Sequence, residues 1–321
     1  MINQDLFTSA LIALRDCMEV KKSETLLVLT DDATAPIGAA LFEQGKTLAQ
    51  ETALVIMPER EVNGAEPPES LAVLMQQYDV VVCPTRKSLT HTHARRNACK
   101  AGARVGTMPG ISEEVMIRTL KADYNRIADR TRRLTAVLDK SDIVRVTSPL
   151  GTDISLPISG ISAISSTGLV TEKGSFGNLP SGESYLMPQE GKTNGVFVVD
   201  GSFAGIGKIG EKPIRITVKD GYAVRIEGGR EARQLDKMLQ PFGKKGYNIA
   251  ELGIGTNDQA IITGQILEDE KVMGTVHIAL GNNMSMGGTC DVGIHVDGVF
   301  TSPTVYADDQ LLMKDGNLLL D

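Results

Sequence analysis

The spacing of apolar residues changes near residue 140, and that change constrains the fold more than any other feature of this 321-residue chain. Before it, short apolar runs at 25–30, 53–57, 79–83 and 103–106 alternate with helical patterns near 35–50, 69–77, 92–101 and 113–121. Runs that are apolar throughout are buried on both faces, and repeated strand–helix–strand units return the chain to one end of a sheet by right-handed crossovers. An α/β fold is therefore expected, with residues 1–140 forming a Rossmann-like N-terminal domain around a parallel sheet. After a long helix at 124–138 the period becomes two, as at 143–147, 153–156 and the hairpin 214–218/222–226 turned by Lys219-Asp220-Gly221. One helix near 230–239 interrupts this pattern, and a second hairpin around Lys314-Asp315-Gly316-Asn317 ends it. Residues 141–321 are expected to form a β-rich α+β domain.

Composition removes several functions. A net charge of −7, no Lys/Arg-rich run, and 7 Phe, 6 Tyr and no Trp leave neither the basic footprint nor the stacking surface of a nucleic-acid binder. The start Met1-Ile-Asn-Gln-Asp-Leu-Phe7 lacks the basic and apolar regions of a signal peptide. No apolar stretch approaches the roughly 20 residues of a membrane span, so a cytoplasmic protein without a membrane partner is expected. Cys17, Cys83, Cys99 and Cys290 are widely spaced, which fits reduced thiols. The segment Gly205-Ile-Gly207-Lys-Ile-Gly210 matches a dinucleotide fingerprint but leads into the strand-like Pro213-Ile-Arg-Ile-Thr-Val, where that fingerprint needs a helix; it reads as a hairpin loop.

Chemistry concentrates in the C-terminal half. In Gly293-Ile-His295-Val-Asp297-Gly-Val, strand alternation sends His295 and Asp297 to one face and Ile294 and Val296 to the other. In Thr275-Val-His277-Ile-Ala-Leu-Gly281, His277 likewise opposes Val276, Ile278 and Leu280. Two histidines and a carboxylate are a minimal ligand set for Zn, Mn, Co or Fe(II). Two further carboxylates stand out: Glu183 in the turn Asn178-Leu-Pro-Ser-Gly-Glu183, and Glu251 in Glu251-Leu-Gly-Ile-Gly, where Gly253 and Gly255 would let the backbone approach a bound group.

The motifs Asn-Leu-Pro-x-Gly-Glu, Glu-Leu-Gly-x-Gly, Asp269-Glu270 followed by His277-Ile-Ala-Leu-Gly, and His295-Val-Asp297 resemble in order and spacing those of the metallo-aminopeptidases T and S. The likeness covers about 174–299. It implies Glu183, Glu251, His277, His295 and Asp297 as ligands of two divalent ions, Zn, Co or Mn, in a homodimeric hydrolase. Metal-activated water would then cleave an N-terminal peptide or related amide bond of a short peptide or small molecule. Asp269-Glu270 is not a ligand pair in that family and reads here as an exposed acidic turn.

The chain departs from that pattern at Met284, where the family carries a tyrosine that stabilises the oxyanion; methionine donates no such hydrogen bond. Tyr185 and Tyr306 are the available substitutes. A related branch, the 2,5-dihydroxypyridine dioxygenases, opens a pyridine ring with one Fe(II), for which His277, His295 and Asp297 would suffice, and a metal-binding protein without catalysis is a third reading. Beside Glu251, the catalytic candidates are His91 and His93 in Thr90-His91-Thr-His93-Ala-Arg95, placed after a parallel strand and at a helix start. There they could orient substrate or move a proton, with Ser88 or Thr90 as helix cap.

Overall fold

The computed structural model describes residues 3–320, and the chain divides into two compact units. The first unit, the chain up to Asn125 together with Ser166–Ser181, is built on a sheet ordered Glu51–Met57, Thr25–Asp31, Val80–Thr85, Arg104–Pro109, Phe176–Asn178. Every neighbouring pair is parallel. The central strands carry Leu26, Leu27, Val28, Val80, Val81 and Val82 with no exposed surface, as their unbroken apolar runs require. Helices at Ala35–Leu48, Glu69–Leu74, His93–Ala101 and Glu113–Thr119 supply the crossovers.

Three local details differ from expectation. An additional helix, Gln4–Ile12, opens the described chain, with the Asn3 side chain accepting from the Leu6 amide. Thr92, and neither Ser88 nor Thr90, caps the helix His93–Ala101 by accepting from the Arg95 amide. The other two hydroxyls hydrogen-bond to each other at 3.0 Å, and Thr90 reaches Thr107 at 2.8 Å. Finally, the fifth strand, Phe176–Asn178, comes from beyond residue 140.

The second unit comprises Arg126–Ser165 and the chain from Gly182 onward. It contains an eight-stranded sheet running from Tyr222–Glu227 through Ile214–Lys219, Asn194–Val199, Asp153–Pro157, Ile143–Thr147 and Thr304–Ala307 to Gln310–Lys314 and Asn317–Leu318. A seven-stranded sheet is ordered Gly207–Lys208, Ser202–Phe203, His295–Phe300, Val276–Gly281, Ile249–Gly255, Glu183–Leu186, Ile164–Ser166. One apolar core joins Val144, Ile154 and Phe197 of the first sheet to Leu252, Ile278 and Phe300 of the second. Asp220 and Gly221, and again Asp315 and Gly316, have φ of 48°, 76°, 47° and 80°, the two successive positive values of a type I′ hairpin turn. The glycine-rich segment is a hairpin pairing Ser202–Phe203 with Gly207–Lys208, as its sequence context implies.

Candidate metal centre

Four adjacent strands of the seven-stranded sheet present one polar face. Glu251, Ala279 and Asp297 are cross-strand neighbours, as are Tyr185, Gly253, His277 and Val299; Gly281 pairs with His295, and Gly255 with Glu183. Partners across a ladder share a face, so these positions surround a dish floored by Gly253, Gly255 and Ala279. The alternate residues, Leu186, Leu252, Ile254, Val276, Ile278, Leu280 and Val296, belong to the core. Period two thus places the charged groups on one side and anchors them from the other.

Gly253 and Gly255 are needed for approach of the protein to itself. A Cβ on Gly253 would overlap the His277 imidazole, and one on Gly255 would run into the Val272 carbonyl. Their small size therefore accommodates the His277 imidazole and a neighbouring chain segment.

Glu251 stands between the two histidines. His277 Nε2 lies 3.4 Å from Glu251 Oε1 and 3.5 Å from Glu183 Oε2, while His295 Nε2 lies 3.4 Å from Glu251 Oε2 and 3.5 Å from Asp297 Oδ1. His277 is fully buried, and neither of its ring nitrogens, nor Glu183 Oε2, makes a hydrogen bond. Orphaned buried polar atoms are costly, but donor atoms about 2.0–2.2 Å from a shared cation would stand about 3–3.5 Å apart, as these do. The residues fit a divalent metal. Two groups could each hold an ion: Glu251, His295 and Asp297, and Glu183, Glu270 and His277.

The electrostatics agree with that fit. Burial opposes a charged imidazole at His277, yet Glu251 and Glu183 outweigh it and hold the ring up at about 9. Burial would raise the Glu251 carboxyl, but His277 and His295 bring it down to about 2. His295 is also raised, burial being outweighed by Asp297 and Glu251. Each group favours a charged partner in the dish, a role that a cation fills for the carboxylates and displaces protons to fill for the histidines. His295 Nδ1 lies 2.7 Å from the Asn282 carbonyl, which favours the tautomer whose Nε2 lone pair faces the carboxylates. Glu190 fixes the loop carrying Asn282, accepting from Asn283 Nδ2, the Thr289 amide and Thr289 Oγ1, each at 2.8 Å.

Asp269-Glu270 is not an exposed acidic turn. Asp269 has no exposed surface and accepts from the Thr263 and Gly264 amides at 2.7 and 2.8 Å, and Glu270 points into the metal dish. Next to them the sequence reading missed Lys271, whose buried ammonium donates to Glu183 Oε1 at 2.6 Å and to Glu270 Oε1. Burial pushes the Glu270 carboxyl up to about 8 despite this lysine. A lysine directly after two acids, six residues before a strand histidine, was the available signal.

Tyr185 lies among these carboxylates, and burial together with Glu183 and Glu251 raises its phenol, so it stays protonated. Tyr306 belongs to the eight-stranded sheet, and Met284 is half exposed. His91 and His93 belong to the first unit, with exposed side chains; their backbones are engaged, His91 O accepting from Arg96 and His93 N donating to Glu66. Cys17, Cys83 and Cys290 are buried and Cys99 half-buried, and all four thiols are free. Among the described residues no helix is long and apolar enough to cross a membrane.

A family model described as 2,5-dihydroxypyridine 5,6-dioxygenase matches residues 7–320. The 2,5-dihydroxypyridine 5,6-dioxygenase of Pseudomonas putida is 24% identical over 250 residues, covering 72% of this chain and 69% of that protein. The solved structure of 2,5-dihydroxypyridine dioxygenase from Pseudomonas putida KT2440 matches with a TM-score of 0.83 at 21% identity, over 99% of this chain and 98% of the other. Wild-type AmpT from Thermus thermophilus matches with a TM-score of 0.71 at 16% identity, over 99% of this chain and 100% of its own, which is a likeness of fold. These findings overturn the expectation of an aminopeptidase-like hydrolase acting on a peptide or amide bond.

Proposed function

This chain belongs to the 2,5-dihydroxypyridine 5,6-dioxygenase family, and on that premise we propose that it is an Fe(II)-dependent dioxygenase that opens the ring of a dihydroxylated pyridine. The observation that carries this reading is the pair of histidines brought to one carboxylate-lined face, with both nitrogens of His277 lacking a hydrogen bond. Two histidines and a carboxylate are the ligand type of non-haem iron oxygenases. In this reading His277, His295 and Asp297 hold a single iron, in place of the expected pair of Zn, Co or Mn ions. One-electron chemistry, which lets ground-state dioxygen react with an electron-rich ring, is what bound iron supplies there.

The remaining work falls to the protein. The Asn282 carbonyl orients the His295 ring, and Glu251 lies 3.4 Å from Nε2 of both imidazoles. Tyr185 keeps its proton and in this reading would donate a hydrogen bond to a substrate oxygen. Glu251, His91 and His93 are the proton-transfer candidates of this reading, the two histidines through the chemistry of the imidazole. The homodimer implied by family resemblance belongs to the same proposal and is checked by light scattering.

The direct experiment incubates anaerobically iron-loaded protein with 2,5-dihydroxypyridine and then admits labelled dioxygen. Loss of the ring absorbance with one dioxygen consumed per substrate and both labelled atoms in the product is expected. Loading that leaves the pyridine intact refutes the reading.

A further inference from the structure

We propose that Lys271 is a built-in cation that takes the place of a second metal ion and confines this protein to one. The inference rests on the single-iron reading and gives it a structural cause. The residues Glu183, Glu270 and His277 are grouped closely enough to hold an ion of their own. Between their carboxylates, however, stands the Lys271 ammonium, donating to Oε1 of both glutamates. An ammonium has three donors and no lone pair, so it takes one oxygen of each glutamate, sets a positive charge where a second ion would sit, and ligates nothing itself.

The lysine cannot readily withdraw. Its side chain is 1% exposed. Its backbone is fixed on both sides, the amide donating to the Glu268 carbonyl at 2.9 Å and the carbonyl accepting from Asn257 at 2.8 Å. A cation entering beside Glu183 would thus meet a positive charge already seated in a site shielded from water, where screening is weak. Glu183 Oε2 and both His277 nitrogens remain unsatisfied, and His277 Nε2 lies 3.5 Å from Glu183 Oε2 and 3.4 Å from Glu251 Oε1, toward the other half of the dish. The enclosure also argues against direct contact between Lys271 and substrate.

A lysine that merely neutralised two glutamates would leave metal stoichiometry unchanged on removal, and this distinguishes the proposal from ordinary ion pairing. Metal-free protein is titrated with Mn(II), with bound metal counted by elemental analysis and observed by electron paramagnetic resonance. Wild type and Lys271→Arg should take one Mn(II) per chain and show an isolated-ion spectrum. Lys271→Met should take two and show the spin coupling of two neighbouring ions. If Lys271→Met does not fold, Lys271→Gln removes the same positive charge, keeps a polar group beside the two glutamates, and is scored identically. One Mn(II) in the charge-removed protein, or two in wild type, overturns the role of Lys271. Failure of the iron-loaded wild type to consume 2,5-dihydroxypyridine, with the stoichiometries as expected, instead overturns the catalytic reading and leaves that of Lys271 standing.

Discussion

Gly253 sits directly across the strand ladder from His277, and the missing side chain is the space its imidazole occupies. Gly253→Ala should therefore fold, because alanine suits a strand interior at least as well as glycine, while displacing the ring from the other ligands. A loss of metal affinity of about 10- to 100-fold is expected, the usual scale for a disturbed ligand-orienting neighbour. Competition with a chromogenic chelator measures it, and unchanged affinity would show that His277 is not a ligand.

His295→Ala and Asp297→Ala test the other half of the dish. Each should remove most bound metal and ring-cleaving turnover while circular dichroism stays native. Metal added to wild type at about 100 times its dissociation constant should stabilise the fold by about 2.7 kcal/mol, and the two variants should lose most of that increment. Thermal melts with and without Mn(II) provide the comparison.

Glu190 acts at one remove, through the loop whose Asn282 carbonyl meets His295. Glu190→Ala should weaken metal binding by about 10-fold or more through loss of ring orientation. Glu190→Gln, which retains an acceptor oxygen for the Thr289 amide, should recover part of the loss. Equal effects of both substitutions would point to charge rather than positioning.

Acid should loosen the first unit through Glu24 and Arg104. The guanidinium donates to both carboxylate oxygens at 2.7 and 2.8 Å, and this hydrogen bonding holds the Glu24 carboxyl below its ordinary 4.5. A group depressed in the folded state contributes stability that is fully present above its unfolded value and lost as pH falls through its folded value. Glu24→Gln should thus cost about 1.5–3 kcal/mol at neutral pH, and the difference from wild type should shrink below about pH 4.5. Paired urea melts from pH 7 to pH 3 check the sign; a difference that grew in acid would contradict it.

Much of the fold was legible because burial writes itself into periodicity. Apolar runs such as Val80–Val82 marked central parallel strands, and the Asp-Gly turns at 220–221 and 315–316 fixed hairpins through their backbone preference. The same alternation exposed His277, His295 and Asp297, since a polar residue on an otherwise apolar strand must face something polar. Glu270 was read as exposed and Lys271 was missed because they follow the four-residue helix Ile266–Asp269, in a turn where side-chain direction has no period to follow. The three-residue strand Phe176–Asn178 was invisible for another reason: its pairing with Val105–Thr107 is remote in sequence, and a run containing Gly177 offers no alternation of its own.

That remote strand also sets an order of events during synthesis. The first unit's sheet leaves the edge of Arg104–Pro109 bare until Phe176–Asn178 emerges from the ribosome, about 70 residues later. An unpaired edge is an invitation to pair with another chain. A nascent chain stalled after Lys140 should consequently attract chaperones or aggregate, whereas one extended past Ser181 can cover that strand itself. The edge of Arg104–Pro109 is therefore bare only during translation, while the second unit is still being made.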